Sequence, residues 1–304
     1  MPELPDVTVY VEHLRRRVVG ATLEKIVVLS PNLLRTVEPP LESMVGRRVR
    51  EVRRLGKRIV IGLDRDGFLV LHLMISGRLH WKPRGARLGR KMGLAVFEFT
   101  TGALTWTEAS TRKRASLHVV AGASALAGLD PGGLEPLDAP LEAFAAALTA
   151  ERHTLKRSLT DPRVLSGVGN AYSDEILHRA RLSPFRLTTQ LEPDEMARLH
   201  TATREVLVAW TDRLRAETGE AFPEHVTAFR DGMAVHGRYR QPCPECGAPV
   251  QRVAYADNEL NYCARCQTGG RLLADRALSK LLREDWPKTL EELEEATAAR
   301  RQRP

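Results

Sequence analysis

The first three residues, Met1-Pro2-Glu3, combine an amine and a carboxylate that could do chemistry together. If Met1 is removed after synthesis, Pro2 becomes the N-terminus with a secondary amine, and an α-amino group titrates near about pH 8. Such an amine can attack an aldehyde or the anomeric carbon of a sugar to give an iminium. Glu3 is a carboxylate of the kind that transfers protons. A Pro-Glu start taken alone is ordinarily a frayed terminus, so the rest of the chain decides between the two interpretations.

The cysteines of the chain follow a Cys-x2-Cys-x16-Cys-x2-Cys pattern formed by Cys243, Cys246, Cys263 and Cys266. Four thiolates in two closely spaced pairs satisfy the tetrahedral preference of Zn²⁺, so the pattern predicts one zinc ion. A site closed by sulfur atoms leaves no open coordination position, which predicts a structural ion rather than a catalytic one. Free buried thiols are the less favoured alternative.

Composition limits the class of protein. The 304 residues carry 46 Lys and Arg against 38 Asp and Glu, a formal net charge of +8, and this basic balance favours a polyanionic partner. The length suffices for about two domains. No apolar run of about 18 residues is present, and the N-terminus lacks the pattern of a secretion signal. We therefore expect a cytoplasmic protein without a membrane segment.

Amphipathic spacing predicts a first helix that anchors the N-terminus. Val7, Val11, Leu14 and Val18 recur every three or four residues, and Gly20 ends the pattern. Such a helix would pack the chain start against a core, which weakens the interpretation of a frayed terminus.

Short β-rich segments follow, separated by turn signals such as Asp66-Gly67 and Thr101-Gly102. Their pattern predicts antiparallel strands in a sandwich or barrel. The predicted strands span 25–29, 49–55, 58–63, 68–74, 94–99, 104–107 and 117–120. Two turns here are strongly basic, one presenting Lys57 and the other Arg112-Lys113-Arg114. Each alone would be ordinary solvated surface, but the two together fit a surface that contacts phosphates.

Beyond a linker rich in Pro and Gly the pattern becomes helical. Helices are predicted over 141–149, 154–159, 171–180 and 193–215, then a loop over 216–235 and, after the cysteines, helices over 274–282 and 289–300. Before the third of these helices, Gly167 and Gly169 would let the backbone approach a ligand, and Asn170 is a natural N-cap. Backbone N–H groups at such a helix start could bind a phosphate.

Taken in order, these parts resemble the formamidopyrimidine-DNA glycosylase/endonuclease VIII family. The resemblance rests on Met-Pro-Glu-Leu-Pro-Asp-Val at the start, the Lys57 turn, Ser-Gly-Val-Gly-Asn-Ala-Tyr-Ser-Asp-Glu at 166–175, and a ribbon ending in Tyr-Cys-Ala-Arg-Cys-Gln at 262–267. It implies an α+β fold, with an N-terminal antiparallel β-sandwich flanked by helices, a helix-two-turn-helix domain, a C-terminal zinc ribbon, and DNA in a cleft. The implied regions are a catalytic domain (1–122), a linker (123–140), a DNA-binding domain (141–235), a zinc ribbon (236–270) and a helical extension (271–304).

The resemblance also implies a function, that of a bifunctional DNA glycosylase and AP lyase of base excision repair, acting as a monomer on damaged or abasic DNA at the nucleoid. Pro2 would attack C1′ of a flipped, damaged nucleotide, Glu3 would be the general acid/base, and Lys57 would contact a phosphate beside the lesion. Loss of the base would leave an iminium that acidifies the C2′ protons, so elimination would cleave the strand. The other residues implied to bind DNA or lie near it are His72, Arg112, Arg114, Lys156, Gly169, Asn170 and Glu175.

The chain departs from the family pattern where relatives read the lesion. Ile75 stands at the position of a Met that fills the gap left by the flipped base, and residues 108–116 contain no aromatic wedge. Asn258 replaces a ribbon arginine, and His236 replaces a tyrosine. These departures predict a lesion preference other than oxidised purine in duplex DNA.

Two other functions stay open. A DNA-binding protein without catalysis, or with lyase activity alone, would keep the clamp and ribbon and recognise damaged, distorted or single-stranded DNA. Retention of Met1 would favour it, because the proline nitrogen would then lie in an amide bond. A zinc-ribbon RNA-binding or transcription factor would leave the Pro-Glu start unexplained.

Overall fold

The computed structural model describes residues 1–224, 226–227, 229–254, 259–273 and 287–301. Residue contacts divide the chain into two units. Unit 1 comprises Met1–Glu135, Ser166–Val168 and Leu207–Ala228, and unit 2 comprises Pro136–Leu165, Gly169–Val206 and Phe229–Pro304.

Helix α1 (Leu4–Val18) opens unit 1, as the amphipathic pattern predicts. Pro5 lies in the first turn, where a missing N–H costs no helical hydrogen bond. The carboxylate of Asp6 accepts the N–H of Glu3 at 2.9 Å, which satisfies one of the donors at the helix start. The apolar face of the helix is buried and consists of Val7, Tyr10, Val11, Leu14 and Val18.

Two antiparallel sheets form the body of unit 1, and their strand orders are β1-β6-β7-β5 and β2-β3-β4-β8. The strands are β1 (Leu23–Val28), β2 (Val49–Leu55), β3 (Arg58–Leu63), β4 (Gly67–His72), β5 (Gly77–Lys82), β6 (Gly93–Phe99), β7 (Gly102–Glu108) and β8 (Ser116–Ala121). Every predicted strand forms, with small shifts at the ends. Strand β5 is not among the predicted strands, although Leu79 and Trp81 alternate with polar residues along it.

One apolar cluster joins α1 to both sheets. Tyr10 and Leu14 of α1 belong to the same buried cluster as Ile61 of β3 and Phe97 of β6. Full burial of a large apolar side chain stabilises a fold by about 1.5–3 kcal/mol. Packing of this kind holds the start of the chain against the sandwich.

Helix α2 (Ala123–Ala127) lies within the stretch predicted to be a linker. The helix forms because Leu126 has apolar partners to cover, and it is buried with Val60, Val70 and Val120 of the sandwich. The rest of the stretch up to residue 140 has neither helix nor strand.

The helices of unit 2 follow the sequence pattern closely. They are α3 (Leu141–Thr149), α4 (Leu155–Thr160), α5 (Asn170–Arg179) and α6 (Pro193–Thr218), the last of which continues into unit 1. The prediction of Asn170 as an N-cap is wrong, because Gly169 occupies that position and Asn170 is the first helical residue. The side chain of Asn170 is used elsewhere, since its Nδ2 donates to Glu259 O at 2.8 Å.

The cysteine-rich part of unit 2 contains a hairpin and a short helix. Its elements are β9 (Gln251–Ala254), β10 (Glu259–Tyr262) and α7 (Ala264–Thr268), followed later by α8 (Leu290–Arg301). The N–H of Glu292 donates to Thr289 Oγ1 at 3.2 Å, which caps the start of α8, and the Glu292 carboxylate accepts the N–H of Lys288. The helix predicted over 274–282 lies outside the described residues.

Antiparallel sheets in one unit, with helices and a hairpin in the other, confirm the predicted α+β class. Within the part of the chain that the structure describes, no helix combines the length and the apolar character needed to cross a bilayer.

Candidate functional site

The chain start is buried in unit 1 rather than frayed. Pro2 is buried and Glu3 is 2% exposed. The N–H of Leu4 donates to Gly167 O at 2.9 Å. Gly167 has a φ of +82°, and a Cβ at this position would lie 2.9 Å from Cβ of Leu4, so the close approach requires glycine. Helix α1 and the segment 166–168 therefore hold the first residues in place.

The surroundings of the N-terminus favour an uncharged amine. Burial lowers the pKa of the Met1 amine, the charges of Arg78 and Lys57 lower it further, and Glu3 opposes the shift. Each of these charges must lie near the amine to act on it. The structure thus brings Glu3 and Lys57 to the same place and adds Arg78, which no sequence motif singles out.

Strand register places three loops at one edge of the sandwich. The paired residues at this edge are Arg58 with His72, His72 with Ser116, and Gly77 with Glu108. Segment 73–76 connects β4 to β5, and segment 109–115 connects β7 to β8, so both cross between the sheets here. We call the Lys57 turn and these two segments the basic edge.

Arg54 ties the Lys57 turn to the segment beside the N-terminus. Its Nη1 donates to Gly56 O at 2.9 Å and to Ser166 Oγ at 3.2 Å. The carboxylate of Glu135 accepts hydrogen bonds from both Arg54 and Ser166. Displacement of either segment would therefore disturb the other.

His72 lies at the basic edge as a neutral imidazole. Burial lowers its pKa to about 4, with further contributions from Arg58, Lys57 and His118. Its Nε2 is buried, and no described group forms a hydrogen bond with it. The ring can therefore donate or accept a hydrogen bond without carrying a charge near neutral pH.

Segment 73–76 presents an apolar side chain to solvent. Ile75 is 52% exposed, and Met74 has a φ of +54°, a conformation rare outside glycine. The guanidinium of Arg78 donates to Gly77 O at 2.7 Å and to Ile75 O at 3.2 Å. Arg78 therefore supports the backbone that presents Ile75.

Segment 109–115 is held from within by a buried carboxylate. Glu108 accepts the backbone N–H groups of Arg114 at 3.1 Å and Ala115 at 3.4 Å, and its carbonyl accepts from Lys113 Nζ. The side chains of Arg112 and Arg114 are exposed. The loop is thus anchored while two of its cations face solvent.

In unit 2, the ammonium of Lys156 donates hydrogen bonds to the first turns of α5. It donates to Asn170 O at 2.8 Å, Ser173 Oγ at 2.8 Å and Asp174 Oδ1 at 2.6 Å. An ammonium has three N–H donors, so these acceptors use all of them. Lys156 is 12% exposed and Asp174 is 1% exposed, which makes this a buried ion pair.

The second oxygen of Asp174 joins α5 to the ribbon. Asp174 Oδ2 faces His236 Nδ1 at 2.8 Å and accepts the N–H of Asn261 at 3.1 Å. Asn261 Oδ1 in turn accepts the N–H of Gly237 at 2.7 Å. The ring of Phe229 stacks on His236 with centroids 5.6 Å apart. His236 therefore belongs to a buried network.

Glu175 holds the segment that precedes the ribbon. Its carboxylate accepts the N–H groups of Ala234 at 2.7 Å and of Val235 and His236 at 2.9 Å. Burial raises the pKa of Glu175, and these three hydrogen bonds oppose the shift. Both oxygens of this carboxylate are thus engaged within unit 2.

The cysteine sulfurs have the spacing of a metal site. All four lie within 4.8 Å of one another, with Cys243 Sγ 3.9 Å from Cys266 Sγ and Cys246 Sγ 3.4 Å from Cys263 Sγ. Thiolates about 2.3 Å from a tetrahedral zinc lie roughly 3.8 Å apart, so the donors and their spacing fit Zn²⁺. Burial raises the pKa of Cys263 to about 11, and a bound cation would hold it as a thiolate at neutral pH.

Side chains around the cysteines connect the ribbon to α5 and the turn after it. The N–H of Cys263 donates to Gln267 Oε1 at 2.8 Å, while Gln267 Nε2 donates to Leu182 O at 2.9 Å. His178 Nε2 lies 3.3 Å from Cys243 Sγ, and burial lowers the pKa of His178.

The predicted site residues fall into two groups, one in each unit. Unit 1 holds Pro2, Glu3, Lys57, His72, Arg112 and Arg114, whereas unit 2 holds Lys156, Gly169, Asn170, Glu175 and the cysteines. Asn258, singled out as a departure from the family pattern, lies outside the described residues. Residues that sequence reasoning missed are Arg54, Arg78, Glu108, Glu135, Asp174, His178 and Asn261, whose partners are mostly distant in the chain.

Three family models match the chain in order. The formamidopyrimidine-DNA glycosylase N-terminal domain matches residues 1–117, and the formamidopyrimidine-DNA glycosylase H2TH domain matches 133–213. A zinc finger found in FPG and IleRS matches 240–269. Because this last match includes all four cysteines, the sulfur cluster is a structural zinc site.

Curated relatives match most of the chain. The formamidopyrimidine-DNA glycosylases of Heliobacterium modesticaldum and Geobacillus kaustophilus are each 34% identical, over 282 and 287 residues, and cover 88% of this chain and 100% of their own. An uncharacterized formamidopyrimidine-DNA glycosylase-like protein of Mycobacterium tuberculosis is 40% identical over 151 residues, which is 50% of this chain and 94% of that protein.

Solved structures share the fold. The MutM (Fpg) protein of Thermus thermophilus is 32% identical with a TM-score of 0.73, covering 88% of this chain and 98% of its own. Lactococcus lactis Fpg in complex with DNA containing an abasic site has a TM-score of 0.77 at 24% identity, covering 88% and 99%, a likeness that shows the fold alone.

Proposed function

The chain belongs to the formamidopyrimidine-DNA glycosylase family, and on that premise we propose that its reaction runs through the secondary amine of Pro2. It is a DNA glycosylase of base excision repair that also cleaves the strand at the abasic site. The observation that carries the proposal is the buried chain start, where Pro2 is buried, Glu3 is 2% exposed, and burial, Arg78 and Lys57 lower the pKa of the adjoining Met1 amine. The same surroundings would leave more of a Pro2 amine in its uncharged, nucleophilic form.

Removal of Met1 is the first requirement, because it frees the Pro2 nitrogen from an amide bond. The Pro2 nitrogen then attacks C1′ of the damaged nucleotide, a C1′–N bond forms, and the N-glycosidic bond breaks with its electron pair leaving on the base. The departing base takes up one proton, and the amine loses one.

Glu3 is the proton carrier for this step, in which it takes the proton that the amine loses, and for the steps that follow. Protonation of O4′ lets the C1′–O4′ bond break, which leaves an iminium between Pro2 and C1′. The iminium accepts electrons when a C2′ proton is removed, so the C3′–O bond breaks and the 3′ phosphate departs. A second elimination releases the 5′ phosphate, and water returns the free amine. Glu3 suits this role because it is buried beside the amine and its own N–H is fixed by Asp6.

The basic edge supplies the phosphate contacts in unit 1. Lys57 lowers the pKa of the Met1 amine and therefore lies near the chain start, where a phosphate beside the lesion would meet it. His72 lies at this edge as a neutral imidazole, and its buried Nε2 has no hydrogen-bond partner among the described residues. Arg112 and Arg114 present exposed guanidinium groups, which suit phosphate oxygens.

In unit 2, the start of α5 binds the DNA backbone. Gly169 at the N-cap and Asn170 at the first helical position present N–H groups that favour an anion. Lys156 and Glu175 act indirectly, because the first satisfies acceptors in α5 and the second holds the segment before the ribbon. The cysteines hold the zinc that fixes the ribbon, and no step of the reaction runs through it.

Lesion preference depends on the loops of the basic edge. Ile75 is an exposed apolar side chain that can enter the gap left by a flipped nucleotide. The exposed positions of segment 109–115 are Ala109, Thr111, Arg112 and Arg114, none of which is aromatic, so this segment would not stack on the opposite base. Flipping costs least at mismatched or single-stranded sites. We therefore propose a preference for lesions in destabilised DNA over oxidised purines in duplex DNA, with the nucleoid as the place of action.

A panel of oligonucleotides, each with one lesion or one abasic site, tests this function. Base release is scored separately from strand nicking, in duplex and single-stranded form. Wild type should nick abasic DNA and release at least one damaged base. Nicking without release of any base would leave a lyase alone, and neither activity would overturn the proposal.

Glu3→Gln sharpens the same experiment. The variant keeps the size of the side chain but removes the acid, so base release should fall by roughly 10²- to 10⁴-fold. Nicking of abasic DNA should fall less, because an abasic sugar already equilibrates with its open aldehyde. Glu42→Gln makes the same chemical change at an exposed position of unit 1 and should behave as wild type. Equal losses in the two reactions would contradict the role assigned to Glu3.

A further inference from the structure

Helix α5 carries a histidine that touches a zinc ligand. His178 lies in the last turn of α5 and is 5% exposed, and its Nε2 is 3.3 Å from Sγ of Cys243, which is 2% exposed. A sulfur acceptor allows this longer separation. A thiolate bound to zinc has no proton to give, so the hydrogen lies on the imidazole and Nε2–H is the donor.

We propose that His178 is a positioning residue that fixes the zinc site to α5. A hydrogen bond to a metal-bound thiolate orients the ligand and tunes the metal, and groups of this kind commonly affect metal affinity. The sulfur of Cys243 is buried, so water cannot easily replace the lost donor. The His178 bond should therefore slow both protonation of the thiolate and release of zinc.

The hydrogen bond from His178 to Cys243 helps to hold the whole of helix α5 against the ribbon. Helix α5 is bonded to the ribbon at its start by Asn170 to Glu259, in its middle by Asp174 to Asn261, and at its end by His178. The last of these bonds is made directly to a zinc ligand. Zinc would thus fold the ribbon and also fix the position of α5, whose first turn is the proposed DNA contact.

Two variants test the hydrogen bond through the metal. His178→Phe keeps an aromatic ring but removes the donor, and affinity for zinc in competition with a chromogenic chelator should fall roughly 10- to 100-fold. In the cobalt-substituted protein, the thiolate-to-cobalt charge-transfer band should shift to lower energy, because the sulfur loses a hydrogen bond. His178→Gln retains an N–H donor and should recover part of both properties.

A matched control is available in the same unit. The ring of His200 packs on Phe144, and its Nε2 lies 2.9 Å from Ala139 O, so His200→Phe removes a histidine that bonds to a backbone carbonyl instead of a cysteine. This variant should keep the cobalt spectrum and the zinc affinity of wild type. A His178→Phe protein within about twofold of wild type in affinity, with an unshifted band, would overturn the proposal.

The wild-type protein provides a test that does not depend on a variant folding. After substitution with ¹¹³Cd, a scalar coupling should link the metal to the Hε2 proton of His178 through the sulfur of Cys243. Absence of this coupling, with the other cadmium couplings present, would show that the hydrogen bond does not form. These readouts involve no DNA, so they stand or fall separately from the chemistry proposed at Pro2.

Discussion

Asp174→Asn is expected to destabilise unit 2 severely. The wild-type carboxylate is 1% exposed and makes three contacts, with Lys156 through one oxygen and with His236 and the N–H of Asn261 through the other. Asparagine keeps only one oxygen, so either the ammonium or the groups on the other side lose their acceptor. The variant also leaves the charge of Lys156 without a buried counterion.

The expected cost is about 3 kcal/mol. Removal of one member of a buried ion pair typically costs about 3–5 kcal/mol, and the lower end applies because Lys156 keeps Asn170 O and Ser173 Oγ as acceptors. A loss of this size reduces the folding equilibrium constant by roughly 100-fold, since about 1.4 kcal/mol corresponds to a factor of ten.

Zinc release into a chromogenic chelator during urea unfolding is the suitable assay, because the four cysteines lie in unit 2. Asp194→Asn changes an exposed aspartate of the same unit and should cost under about 1 kcal/mol. In a Lys156→Met background the Asp174→Asn cost should change by about 2 kcal/mol, because neighbours in one network do not act additively. A cost below about 1 kcal/mol, or strictly additive costs, would refute the reasoning.

Two further predictions concern unit 1. His72 has a pKa of about 4 in the fold against 6.5 for an unperturbed histidine, so the unfolded state binds more protons between these values and stability is lost as pH falls. From pH 7 to pH 5 this loss of stability is about 2 kcal/mol. The His72→Gln variant lacks the titrating group, so its thermal stability should fall by a correspondingly smaller amount over the same pH range. An equal fall in both proteins would contradict the assignment. Gly167→Ala should destabilise unit 1 by about 2 kcal/mol and slow nicking of abasic DNA. The new Cβ would lie 2.9 Å from Leu4, and an alanine at a positive φ carries a further cost in backbone strain. Gly122→Ala has a similar φ of +85° with open space around the new Cβ, so an equal effect in both variants would show that the contact with Leu4 is unimportant.

Elements with a clear local pattern were predictable from the sequence. Helix α1 has one apolar face and a glycine just beyond its end, and β2 and β3 flank a two-residue turn, so their ends match the prediction. The cysteine spacing defines the zinc ligands because thiolate chemistry and tetrahedral geometry leave few alternatives. Helix α2 escaped prediction because its stability comes from Leu126 packing on distant strands.

The partners within the candidate site could not be read from local sequence. Arg54 and Glu135 are 81 residues apart, and Asp174 and Asn261 are 87 apart, so only the fold reveals that each pair meets. The acceptors of Lys156 were likewise hidden, because the family resemblance implies only that this lysine binds DNA or lies near it. Buried carboxylates such as Glu108 carry no sequence signal that separates them from surface charge.

Reduction with borohydride tests the role of Pro2 most directly. Wild-type protein incubated with abasic-site DNA and sodium borohydride should give a covalent adduct, and mass spectrometry of its peptides should place the sugar on the nitrogen of Pro2 in a chain that lacks Met1. Pro2→Gly should give far less adduct. Retention of Met1, an adduct on the side chain of Lys57, or no adduct at all would contradict a reaction that runs through the N-terminal amine.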